Sequence, residues 1–175
     1  MDALIRSIKM RIADGRPIDE PGAWIGVQRP ARPKDVAVAE ATLGFALPHF
    51  LAKLYTEIGN GGFGPFLGLI PLSRDSLGKK ATADETRFTL VEHYFGLVKG
   101  HPKYAKENWP TGVVPVFYGG CSSFEFANCN AANGPIVALD PGNDKWWELL
   151  FAGRRAIPSL EERLELWLEG KSAGW

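Results

Sequence analysis

Cys121 is set between Gly119-Gly120 and Ser122-Ser123, a turn-like surrounding in which a thiol could meet a substrate as a nucleophile. The reactive form is the thiolate, and lowering the thiol pKa takes a helix N-terminus, a nearby cation or a base. None of these is close to Cys121 in sequence, because the residues after it read as a strand. A thiol enzyme built on Cys121 therefore stays open as an alternative that depends on what folding brings near it. The simpler reading of Cys121 and Cys129 is two small thiols packed in a sheet. His49, His93 and His101 are scattered with no second ligand at metal spacing, so no metal is expected. Glu161, Glu165 and Glu169 recur every four residues, the pattern of one solvated helix face; a hydrolytic carboxylate pair instead faces across a cleft.

The run Gly61-Gly62-Phe63-Gly64-Pro65-Phe66-Leu67-Gly68 resembles a phosphate cradle in composition but not in context. A dinucleotide fingerprint follows a strand and opens a helix, whose N-terminal N–H groups meet the phosphates. Here a helix precedes the glycines and Leu67 to Leu72 reads as a strand. Pro65 also removes one N–H. The spacing predicts a sharp helix-to-strand turn, and no cofactor is expected.

The helices before this turn are marked by their punctuation. After Pro33, Val36, Ala39 and Leu43 recur at helical spacing until Gly44 interrupts them. Pro48 suits the start of a second helix, with Leu51, Leu54, Tyr55 and Ile58 on one face, and Gly59 and Asn60 are expected to end it in left-handed conformations.

The ordered set Glu40, Leu43, Gly44, Leu47, Pro48, Asn60, Gly61, Gly62, Phe63, Gly64 and Pro65 resembles the SUKH superfamily. Its members include bacterial immunity proteins of toxin systems and a fungal regulator of cell-wall synthesis. The resemblance spans roughly residues 33–170. It extends to Gly120-Cys121 at a strand start, Asn128-Cys129 at its end, and an acidic final helix with a tryptophan. Asn128 departs from the aspartate of that pattern. The resemblance implies a protein-binding role, with a bacterial toxin domain as the partner, or a regulatory scaffold without a toxin.

Twenty basic residues balance twenty acidic ones among 175, which argues against a nucleic-acid binder. Hydrophobic residues at 45% and charged residues at 23% describe an ordinary globular chain. Its length fits one domain, residues 1–175, comprising an N-terminal helix and loop over 1–32 and the family-like core over 33–170. No apolar run approaches the ~20 residues that span a bilayer, and the N-terminus mixes charge into its apolar positions. A cytoplasmic location and no membrane partner are the expectations.

Leu4, Ile5, Ile8 and Ile12 predict a first helix, stopped at Asp14-Gly15. A loop from Pro17 to Arg32 follows, anchored by Trp24. Thr82 to Glu85 predicts a capping box and a helix to about Leu97, with Phe88, Val91, Phe95 and Val98 inward. Four short strands follow at Val113 to Tyr118, Ser122 to Ala127, Ile136 to Asp140 and Trp146 to Phe151. Their short turns imply an antiparallel meander. Ser159 and Glu162 cap a last helix with Leu160, Leu164, Trp167 and Leu168 inward. The fold class is therefore α+β, a mainly antiparallel sheet with helices on one face. Regular alternation would leave Glu125, Asp140, Trp146 and Glu148 together on the other face. There the tryptophan is a candidate anchor and the carboxylates would attract a basic partner. Packing of Trp146 under the 17–32 loop is the competing reading.

Overall fold

The computed structural model describes residues 2–19, 26–77, 89–99, 109–120, 123–139 and 158–171. Helix α1, Asp2–Ala13, buries Leu4, Ile5 and Ile8 as one stripe, with Ile12 packed alongside. Helix α2, Pro33–Leu43, begins with proline at its first turn, where the missing N–H costs nothing. Asp35 folds back to accept from the Arg32 backbone N–H at 2.9 Å. Val36, Ala39 and Leu43 are buried, and left-handed Gly44 ends the helix by donating its N–H to the Glu40 carbonyl. The Glu40 side chain then accepts from the Leu47 N–H at 2.9 Å, so one residue fixes both the end of α2 and the approach to Pro48.

Helix α3, His49–Lys53, follows Pro48 and runs on as a π-helical turn, Leu54–Ile58. Phe50, Leu51, Leu54, Tyr55 and Ile58 form its buried face. Its end differs from the expected left-handed cap. Gly59 is fully extended, and glycine is needed there because a Cβ would lie 2.6 Å from the Gln28 carbonyl oxygen. Nor is Asn60 left-handed, since Phe66 is the non-glycine residue with positive φ among the described residues. The side chain of Asn60 acts instead: its Oδ1 accepts from the Leu72 N–H at 3.0 Å and its Nδ2 donates to Ser76 Oγ at 2.9 Å.

The glycine-rich turn closes on itself through Leu69 N–H to the Phe63 carbonyl and Gly62 N–H to the Leu69 carbonyl. The strand expected over Leu67 to Leu72 is an irregular ribbon instead. It exchanges bonds with the Tyr118 and Val116 backbones, but only Leu69 and Phe117 form a ladder pair. Pro71 has no N–H to continue such a ladder.

Three antiparallel strands, β1 (Val113–Gly120), β2 (Ser123–Asn128) and β3 (Ile136–Leu139), lie in that spatial order. The α+β class and the antiparallel meander stand, although the sheet is small beside the helices. The fourth expected strand, Trp146 to Phe151, falls outside the described residues. Bulges on β1 between Pro115 and Phe117, and between Tyr118 and Gly120, shift its pairing with β2.

Helix α4, Leu90–Val98, starts later than expected. Thr89 is extended and its Oγ1 accepts from the Glu92 N–H, so no continuous helix runs through it from Thr82. The Thr82–Glu85 pair itself lies outside the described residues. The buried stripe is Leu90, Val91, Tyr94 and Leu97, whereas Val98 is 46% exposed. Helix α5, Leu160–Leu168, carries the expected box: Ser159 Oγ accepts from the Glu162 N–H while the Ser159 N–H donates to the Glu162 carboxylate. Leu160, Leu164 and Trp167 are buried. Helical side chains reach both sheet faces, correcting the one-face arrangement. His93 of α4 lies 4.3 Å from the Phe124 ring, and Arg163 of α5 meets Glu125 on the opposite face.

Candidate functional site

Glu125 alternates with Phe124 and Phe126, a pattern that by itself turns a carboxylate to solvent. In the structure it is only 2% exposed, and both its oxygens accept from Arg163 Nε at 2.9 Å. The placement of Glu125 on an open carboxylate face is therefore corrected. That side of the sheet is a packed interior, lined also by Phe117 and Ala127 and closed by α5. Asp140, Trp146 and Glu148, the other members of that set, lie outside the described residues, as do Cys121, His101 and Trp24. Arg163 was missed because it interrupts an apolar stripe. Yet it sits three residues after Leu160 and four before Trp167, on the buried side of its helix, and that spacing is the signal that would have found it.

A cavity of about 240 Å³ opens beside this pair, lined by Asp19, Phe66, Arg163, Trp167, Gly170 and Lys171. Three elements build it. From the glycine-rich turn, Phe66 adopts a left-handed φ of 54° and places its ring centroid 5.4 Å from the Arg163 guanidinium carbon. Asp19 holds that conformation from both sides: its Oδ2 accepts from the Phe66 N–H and its own N–H donates to the Phe66 carbonyl, each at 3.1 Å. From α1, Arg11 donates to Asp19 Oδ1 at 3.1 Å and lays its guanidinium 4.4 Å over the Trp167 ring. From α5 come Arg163 and Trp167 themselves, the latter with its indole N–H buried and without an acceptor among the described residues.

The glycines of the turn are packed against neighbouring chain. A Cβ on Gly64 would lie 2.9 Å from the Phe117 ring, and one on Gly62 would overlap the Gly26 carbonyl. Of the motif residues Gly44, Pro48, Asn60, Gly61, Gly62, Gly64 and Pro65, the three glycines of the turn are held by contact, whereas Gly44 meets nothing and is set by its left-handed φ of 83°. A Cβ on Gly61 would approach the Leu69 carbonyl oxygen to 2.8 Å.

Cys129, at the far end of β2, is a free thiol pushed up to about 12, first by burial and then by the nearby Glu40 carboxylate. It is protonated at neutral pH and unsuited to nucleophilic attack. The fully buried Tyr55 hydroxyl is likewise raised by burial and donates to the Ile70 carbonyl at 2.8 Å. No helix among the described residues is long and apolar enough to cross a membrane. Comparison with protein-family models, curated proteins and solved structures finds no match for this chain.

Proposed function

We propose that the chain is a non-catalytic protein-binding domain and, following its resemblance to the SUKH superfamily, an immunity protein that binds and neutralises a cognate bacterial toxin domain. One observation carries the reading. The residues on which the resemblance rests are interlocked: Glu40 ties Gly44 to Leu47, Asn60 ties the end of α3 to Leu72 and Ser76, and Gly61, Gly62 and Gly64 sit where side chains would collide. A chance likeness in a solvated loop would not demand these residue types together. Trp146, with Asp140 and Glu148, is the proposed contact set; Glu125 is withdrawn from it by its burial.

A tagged pull-down from the native cell, with mass spectrometry of the bound fraction, tests the reading. A stoichiometric toxin-domain partner whose toxicity this chain suppresses is the expected result. Trp146→Ala should then weaken that complex while the Tm holds, and Cys121→Ala should leave binding intact. Recovery of cell-wall or signalling proteins instead would favour a regulatory scaffold. Loss of function on Cys121→Ala would point to a thiol enzyme.

A further inference from the structure

We infer that the cavity beside Arg163 is a binding site for a small monocarboxylate, a ligand class independent of the protein partner proposed above. A guanidinium carries five N–H donors in a planar fork. Arg163 spends Nε on both oxygens of Glu125, and among the described residues no acceptor reaches its two Nη groups. The side chain is 3% exposed and borders the cavity. Trp167, on the same wall, buries its indole N–H with no acceptor among the described residues, and buried donors in native proteins are almost always paired. Acceptors for the Trp167 N–H and for Arg163 are therefore to be found in the cavity of about 240 Å³ that both residues line.

Charge and shape narrow the occupant. A guanidinium fork matches the two oxygens of a carboxylate better than a point acceptor. The negative charge of Asp19 on the wall is already engaged, Oδ1 by Arg11 and Oδ2 by the Phe66 N–H, and Glu125 already balances Arg163, so the site admits one negative charge at most. A dianion such as phosphate would face that carboxylate at greater cost. Lys171 lies on the wall with its ammonium paired to Glu169 and 65% exposed, adding a screened attraction only. Phe66 and Trp167 supply apolar walls, so the carboxylate should bear a small apolar or aromatic body.

The test uses the full chain, labelled with ¹⁵N and titrated at constant ionic strength with benzoate, benzamide, benzyl alcohol and inorganic phosphate. Benzoate should produce saturable shifts at the Phe66, Gly170 and Lys171 amides and at Arg163 Nε–H, at least ten-fold tighter than the other three. Arg163→Lys, which keeps a cation against Glu125 but loses the fork, should weaken benzoate ten-fold or more; the wild-type series decides the matter if that variant does not fold. A short peptide ending in phenylalanine, with its C-terminus free or amidated, separates the sources of the carboxylate. Tighter binding of the free form than of benzoate identifies a chain terminus, and rejection of both forms identifies a small free acid. Equal binding of benzoate and benzyl alcohol, or no saturable shift at concentrations on the order of 10 mM, overturns the inference.

Discussion

At Glu125 two rules of the sequence act against each other. Strand alternation assigns it to the side away from Phe124 and Phe126, and charge assigns that side to water. The structure satisfies the first rule and meets the second by bringing Arg163 to the carboxylate, with the pair almost wholly enclosed. Breaking a buried pair strands one charge, which costs about 3–5 kcal/mol, whereas replacing both partners by apolar residues of similar volume is often near neutral. Glu125→Leu alone, which leaves the Arg163 charge buried, should therefore lower the unfolding free energy by about that amount in urea titrations. The double variant Glu125→Leu/Arg163→Met should recover most of the loss. A single-variant cost under about 1 kcal/mol would show that water already reaches the pair. Cys129 gives a second test at this scale. Its thiol is raised from 9.0 to about 12 in the fold, so the unfolded chain loses its proton first as pH rises. Its contribution to stability is complete below pH 9 and declines from there toward about 12. Tyr55 acts in the same direction. Cys129→Ala should flatten part of the alkaline arm of a stability profile without moving the acid arm. Iodoacetamide should modify Cys129 slowly near pH 8 until denaturant is added.

The helices are legible wherever a cap is local. Gly44 after α2 and Ser159-Glu162 before α5 act within a few residues of themselves, and both are where the sequence places them. What it conceals is set by distant chain. Gly59 looks like a left-handed cap but is extended, because its constraint is the Gln28 carbonyl some thirty residues earlier. Thr89 caps α4, and the sequence does not single it out because Thr82 and Thr89 each have an acidic residue three positions on. Glycine substitutions separate these two kinds of constraint. Gly96 lies on the exposed side of α4 with open space where a Cβ would go, and no left-handed φ. Gly96→Ala should therefore stabilise the protein by about 0.5–1 kcal/mol, as expected for removing a glycine from a helix interior. Gly62 has φ of 81° and a Cβ there would overlap the Gly26 carbonyl, so Gly62→Ala should cost roughly 2 kcal/mol or more. Thermal melts of the two variants should move in opposite directions. A stabilising Gly62→Ala would mean that the turn relaxes freely and is not locked to residue 26.

For the molecule as a whole, one apolar cluster runs from α1 through α5 and takes in both faces of the sheet. The elements feeding it were largely readable from apolar spacing. How they meet was not, because the junctions are made by polar residues whose partners are far away in sequence: Asn60 with Leu72 and Ser76, Asp19 with Phe66, Glu125 with Arg163. The cavity between α1, the glycine-rich turn and α5 was invisible for the same reason. Asn60 is the most informative of these junctions, since it is 1% exposed and joins the π-helical end of α3 to the ribbon that lines β1. Asn60→Ala would leave the buried Leu72 N–H without its acceptor, at about 1–3 kcal/mol, whereas the Ser76 hydroxyl keeps its bonds with Ser73. If the single cluster makes folding cooperative, that loss should appear as a shift of one transition, with far-UV circular dichroism and tryptophan fluorescence still coincident. Separated transitions in the variant would instead show that the helical half and the sheet are stable apart. Asn60 would then be a coupling element between two folding units, and the ribbon beside β1 would be where they part.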